Sequence, residues 1–154
     1  MIQQITDCAA KKKTAASILR ALPNWFGIPE STAEYIEQSA FMPFWADVTD
    51  GCARGFIALK ETSPYAAEIY VMGVLPAYHR QGIGRALFQT LYDYALDHGY
   101  VFLQVKTVQE GHYREYDLTN AFYKSVGFLE LECLPTLWDE ANPCQILMMN
   151  VKSL

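Results

Sequence analysis

The sequence predicts an α+β (mixed α/β) fold: a central mixed, largely antiparallel twisted sheet flanked by helices. Three observations carry this. Phe41–Asp47 and Arg54–Glu61 are strand-like runs joined through Asp50-Gly51, a hairpin signal that makes them antiparallel neighbours. Later strand-like runs alternate with segments of helical spacing, which implies crossover connections and some parallel pairing. Glu68–Leu91 passes from a β-branched and aromatic run, across Gly82 and Gly84, into a helical face, and the rest of the chain is arranged around that unit.

In chain order, Ile2–Ile5 reads as an edge strand. Lys11–Leu22 places Ala15, Ile18, Leu19 and Leu22 at helical spacing and stops at Pro23. Pro23–Pro29 is a stiff loop holding Trp25 and Phe26. Ser31 followed by Glu34 has the capping-box spacing and predicts a helix over Thr32–Ser39. After the hairpin comes the strand Glu68–Val74, then a helix whose face is Ile83, Leu87, Leu91 and Ala95 and which ends at His98-Gly99. Phe102–Val108 is the next strand, Glu110–Glu115 a loop and Tyr116–Val126 a helix closed by Gly127. Phe128–Leu134 is a strand, Pro135–Pro143 a connection and Gln145–Val151 the last strand. There is no repeat or low-complexity segment, so residues 1–154 read as one domain.

The formal net charge of −5 gives no basic footprint for nucleic acid. Cys8, Cys52, Cys133 and Cys144 form no C-x-x-C pair, and His98 and His112 lack metal-ligand spacing, so no metal is expected. No apolar run approaches a bilayer span and the first residues lack a signal-peptide core. The expectation is a cytoplasmic protein with no membrane partner.

The chemistry concentrates in His79-Arg80-Gln81-Gly82-Ile83-Gly84. A glycine-rich turn at a helix start leaves backbone N–H groups unpaired at the positive end of the helix dipole, where a phosphate binds. No Gly-Lys-Ser/Thr follows, so it is not a Walker A loop, and the third glycine of a dinucleotide fingerprint is missing. Gly73 lies inside a strand, where a glycine marks a bulge, a close backbone approach or room for a neighbouring side chain. Glu68 is a carboxylate on an apolar strand; desolvation there would make it a better proton acceptor, and the alternative is a solvent-facing residue at the strand's entry. Period two puts Glu68, Tyr70 and Met72 on one face.

Val74–Leu87, V-L-P-A-Y-H-R-Q-G-I-G-R-A-L, resembles motif A of the GCN5-related N-acetyltransferases, with His79 where the family carries Gln or Arg. The resemblance implies a central sheet with a splayed strand pair, acetyl-CoA as co-substrate, Val74 beside its pantetheine arm, and Arg80, Gln81, Gly82, Ile83, Gly84, Arg85 and Ala86 around its diphosphate. Ala121–Phe128 is similar to the family's FY-x-x-x-GF motif, which implies that Tyr123 lies near the thiol sulfur. Tyr116 stands where many relatives have asparagine, and Asn120 is out of register with it. The segment Ala67-Glu68-Ile69 resembles the place where several members carry a glutamate base. The loop with Trp25 and Phe26 would wall the acceptor site, its aromatics able to grip an ammonium group, with Tyr70 beside it.

The function implied is acetyl transfer to a primary amine, small-molecule or on a peptide or protein, by direct attack in a ternary complex, with Glu68 as base and Tyr123 as proton donor to the thiolate. A homodimer is the form common among relatives. The competing reading is a non-catalytic acyl-CoA sensor on the same scaffold; a nucleotide-binding protein of another fold is the third.

Overall fold

The structure, a computed structural model, describes residues 1–151; the last residues of the expected 1–154 domain lie outside them. Its elements in order are β1 (Ile2–Gln4), α1 (Cys8–Leu19), α2 (Pro29–Ser39), β2 (Phe44–Thr49), β3 (Cys52–Ser63), β4 (Ala66–Val74), a 3₁₀ turn (Pro76–Tyr78), α3 (Ile83–Asp97), β5 (Phe102–Val108), α4 (Arg114–Ser125), β6 (Leu129–Asp139) and β7 (Asn142–Asn150). The strands form one sheet in the order β1-β2-β3-β4-β5-β7-β6. Among the described residues only β4 and β5 pair in parallel; the other neighbours are antiparallel, as the sequence led one to expect.

Local chemistry explains most of the boundaries. Asp50 (φ 52°) and Gly51 (φ 77°) both take the left-handed conformation that a two-residue hairpin turn requires. α1 starts earlier than its apolar spacing suggests, because the Asp7 carboxylate accepts a hydrogen bond from Ala10 N at 2.8 Å and caps the helix. It also ends at Leu19 rather than Leu22. The capping box at Ser31 is not used: α2 begins at Pro29, whose ring presets the first helical φ, and Ser31 lies inside the first turn. The expected connection over Pro135–Pro143 is instead a continuation of the sheet. β6 is an edge strand and tolerates Pro135, so the chain turns only at Glu140-Ala141.

Two cores cover the two faces of the sheet. On one, Ile83, Leu87, Phe88 and Leu91 of α3 and Tyr123 of α4 pack with Ile69, Leu103 and Val105. On the other, Ala15, Ile18 and Leu19 of α1 and Ile36 of α2 pack with Phe44, Phe56 and Val71.

The feature that positions the site lies between β4 and β5. Their pairing is confined to Ala66–Glu68 against Phe102–Gln104, yet β4 runs on to Val74 and β5 to Val108. Beyond Glu68 the two strands therefore diverge, and the facing edge of β4 has no strand partner. The bulge that accompanies this divergence is at Tyr70, not Gly73: Ala58 faces Val71 and Leu59 faces Ile69, leaving Tyr70 as the extra residue. Gly73 keeps its place opposite Phe56 and serves helix packing, since a Cβ there would lie 2.9 Å from Leu22 Cδ1 and 3.1 Å from Ile18 Cγ2. The bulge also breaks the period-two expectation. Tyr70 and Val71 both belong to the α1–α2 side, and Met72 and Val74 pass to the α3 side.

Candidate active site

The fork between β4 and β5 opens into a cleft of about 1230 Å³. One end is made of backbone. Arg80 (φ 63°) and Gly82 (φ 81°) are both left-handed, and Gly82 caps α3 without a side-chain hydrogen bond. The first backbone bond of the helix runs from Ala86 N to Gly82 O. Among the described residues, the N–H groups of Arg80, Gln81, Gly82, Ile83, Gly84 and Arg85 therefore have no acceptor. Successive free N–H groups around left-handed residues, at a helix N-terminus, form a nest for an anion. Ala86 stands outside this set, its N–H being spent within α3, and neither it nor Gln81 lines the cleft. Gln81 instead reaches back to Ala77 O at 3.4 Å.

Side chains brace this end. Arg85 Nη2 donates to Ser125 Oγ at 3.2 Å, tying α3 to α4, while the Arg80 guanidinium is exposed and unpaired among the described residues. Gly84 faces the Phe122 ring of α4, which a Cβ there would meet at 3.4 Å, an ordinary contact. His79, in the position that departs from the family pattern, lies 2.6 Å through Nε2 from the Val74 carbonyl and sets its ring edge-on to Trp25.

α4 supplies the middle of the cleft. Tyr123 is 5% exposed, lines the cleft and has no hydrogen-bond partner for its hydroxyl among the described residues. Burial first, then the neighbouring Tyr35 and Tyr116, push its pKa far up, so the phenol stays protonated. Tyr116 donates its hydroxyl to Trp25 O at 2.6 Å and is pushed up to about 12 by burial, Tyr35, Tyr113 and Glu115. Tyr116, Thr119 and Tyr123 of α4 line the cleft, and Asn120 between them does not. Asn120 turns inward, its Nδ2 donating to Val108 O at 2.9 Å and Tyr116 O at 2.8 Å, and it acts as a strut between α4 and β5.

The far end is made of side chains. Trp25 Nε1 donates to Glu115 O at 3.2 Å and to Thr119 Oγ1 at 3.1 Å, so the α1–α2 loop straps across to α4. Phe26, Tyr35 and Tyr70 follow as an edge-to-face chain, with centroids 5.9 and 5.3 Å apart. Tyr70 is pushed up to about 12 by burial, with Glu34, Tyr35 and Glu68 adding to it. Leu137, Trp138, Asp139 and Asn142 from the β6–β7 tip complete the wall, although the sequence reads that segment as a connection.

Glu68 is buried at the vertex of the fork, 3.3 Å from Lys106 Nζ. Desolvation of the carboxylate is thus offset by an ammonium group that the sequence reading did not pair with it. Lys106 lines the cleft and Glu68 does not, so Glu68 sits one layer behind the wall. His98 stacks on Tyr94 at 3.7 Å and His112 faces Gln109, both away from the cleft.

A long anionic thioester fits these residues on two observations. The anion nest opens into the same cleft as the partnerless edge of β4. The buried Thr107 hydroxyl also lines that cleft and has no hydrogen-bond partner. The acetyltransferase (GNAT) family model matches residues 15–128. The chain belongs to that family. It is 40% identical over 74 residues to the N-alpha-acetyltransferase RimI of Mycobacterium tuberculosis, a match covering 48% of this chain and 42% of that one. The chain spans less than half the length of the curated relatives it matches. In fold it is similar to the ribosomal-protein-S18-alanine N-acetyltransferase of Escherichia coli, at 19% identity and a TM-score of 0.75 over 100% of this chain and 95% of the other. It is as similar to an aminoglycoside 6′-N-acetyltransferase complexed with coenzyme A, at 16% identity and a TM-score of 0.78 over 100% and 98%. At such identities the likeness is one of fold. Among the described residues no helix is long and apolar enough to cross a membrane.

Proposed function

We propose that this protein is an acetyl-CoA-dependent N-acetyltransferase that acts on a primary amine by direct transfer in a ternary complex. The observation that carries the reading is the meeting, in one cleft, of the free N–H groups at the head of α3, the partnerless edge of β4 and the protonated phenol of Tyr123. The nest takes the diphosphate of the acetyl donor, and the β4 edge from Ile69 to Val74 hydrogen-bonds its extended arm. His79, now on the Val74 carbonyl, yields that acceptor when the arm enters.

The acceptor arrives at the side-chain end as an ammonium ion, which has no lone pair. Glu68, reaching the cleft through water beside Lys106, takes the proton. The amine nitrogen then forms a bond to the thioester carbon, and a backbone N–H on the open β4 edge stabilises the oxyanion that develops. The carbon–sulfur bond breaks, Tyr123 delivers its hydroxyl proton to the departing thiolate, and the extra proton on the new amide nitrogen returns to the phenolate.

The competing reading, an acyl-CoA sensor without turnover, draws on one observation: Glu68 is neutralised by Lys106 and set back from the cleft. A thiol-release assay with acetyl-CoA across a panel of amines and peptides decides between them. Amine-dependent release that collapses in Glu68→Gln and Tyr123→Phe is expected; tight acetyl-CoA binding with no release from any amine would establish the sensor instead.

A further inference from the structure

Charge and aromaticity at the side-chain end say what kind of amine belongs there. We propose that the acceptor is a singly charged amine whose neighbouring group is apolar or aromatic, and that compounds carrying several ammonium groups are refused. This rests on the transferase reading above.

The walls are apolar and already stiff. Phe26, Tyr35 and Tyr70 hold one another edge to face, so a ring or branched chain entering between them and Trp138 buries area without ordering the wall first. The hydroxyls of Tyr35 and Tyr70 make no hydrogen bond among the described residues, and burial of both rings keeps them neutral. They offer uncharged donors and acceptors, not counter-ions.

Fixed charge points the same way. Asp139 is the only carboxylate among the described residues that line the cleft. Lys106 enters the same half, and Lys60 Nζ stands 5.6 Å from the centre of the Tyr70 ring, so that ring already carries a cation. Glu34 and Glu115 make their fields felt at Tyr70 and Tyr116 but do not line the cleft. One ammonium group can be deprotonated through Glu68. Asp139, at the β6–β7 tip, already accepts two contacts from Asn142 Nδ2, and Lys60 is exposed outside the lining. A second ammonium would therefore be desolvated beside Lys106 with no free carboxylate.

Two sources supply this chemistry: a free arylalkylamine, or a peptide whose first residue is large and apolar. The exposed side chains of Ile28, Tyr113, Leu118, Leu137 and Trp138 around the mouth favour the peptide, which would cover them.

The test sets four acceptors against acetyl-CoA: phenethylamine, a hexapeptide beginning with Phe, spermidine and kanamycin. The hexapeptide or phenethylamine should exceed both polycations at least tenfold in kcat/KM, and the order of the first two identifies the source. Equal or better turnover of spermidine or kanamycin would overturn the acceptor class. Leu137→Glu, an exposed change that leaves the core alone, should raise spermidine's relative kcat/KM severalfold; no change would show that the charge of the wall does not select. If no amine releases thiol, calorimetric binding of the same four compounds to the acetyl-CoA-saturated protein gives the ranking. Preference for the monoamines without turnover would sink the transferase reading alone, and preference for the polycations would sink the acceptor class.

Discussion

The two ends of the cleft are built from different material. The end at the head of α3 is backbone: free N–H groups, two left-handed residues and the open edge of β4. The end beneath the α1–α2 loop is side chain: an aromatic chain, a strap through Trp25 and an ion pair at the vertex. A backbone nest recognises the charge and shape common to every molecule bearing a diphosphate, whereas side chains from several separate elements define one particular partner. The first end suits an invariant co-substrate, the second a specific one. Substitutions that act on one end and spare the other put this division to the test.

The largest effect is expected where the ends meet. Tyr123→Phe keeps the ring in its pocket and removes only the hydroxyl, so acetyl-CoA affinity should hold within about twofold while kcat falls roughly a hundredfold, the lower end of what a positioned proton donor supplies. The pH dependence adds a sign. The folded protein holds this phenol above its usual pKa, chiefly by burial, so the protonated form persists as pH rises. The wild-type rate should therefore show no loss from tyrosine ionisation up to about pH 10, the ordinary value for the free side chain. A descending limb near pH 8 that vanishes in Tyr123→Phe would break this assignment.

Gly82→Val addresses the backbone end alone. No atom lies within 4 Å of a Cβ at Gly82, so the added side chain meets open space; what it opposes is the φ of 81°. A left-handed β-branched residue costs about 1–2 kcal/mol, and relaxing it rotates the peptide groups of the nest. Acetyl-CoA affinity should weaken on the order of tenfold, about 1.4 kcal/mol, by titration calorimetry. The ranking of amines at saturating acetyl-CoA should not move. A changed ranking would mean that the two ends are not separable.

The same division explains what the sequence could reveal. The nest was legible because Gly82 and Gly84 sit two apart at a helix start, a local pattern with a local physical consequence. The left-handed turn at Arg80 was not, because a non-glycine residue gives no local sign of positive φ. The divergence of β4 from β5 was expected from the family resemblance, but the bulge sits at Tyr70, for Gly73 is small to admit Leu22 and Ile18 rather than to bend the strand. The side-chain end was least visible. Tyr35 meets Tyr70, Lys106 meets Glu68 and Trp25 meets Thr119 only through tertiary packing, and the turn at Glu140-Ala141 brings Trp138 to the wall from a segment that reads as a connection.

Lys106→Met probes the vertex. Losing the ammonium 3.3 Å away leaves a buried carboxylate without its opposite charge. If the pair prepares the amine, kcat/KM should fall severalfold while the acetyl-CoA Kd holds, and Lys106→Arg should restore it. A loss of melting temperature and acetyl-CoA affinity in step with kcat/KM would assign the pair to the fold alone.

The smallest effect is expected at the strap, and it is the one that joins the ends. Trp25 hydrogen-bonds α4 through its indole N–H and presents its ring to His79, which reaches the Val74 carbonyl. Trp25→Phe deletes the N–H, whose bonds run to Glu115 O and Thr119 Oγ1, and keeps an aromatic body at the same place. One neutral hydrogen bond contributes about 1 kcal/mol, and for a chain of this size the melting temperature should drop by about 2–4 °C. Function is the more telling readout. If the strap only holds the wall, KM for the amine rises while the acetyl-CoA Kd stays constant. If the Kd moves with it, the chain of contacts from Trp25 through His79 to Val74 couples acceptor to donor, and loading one end prepares the other.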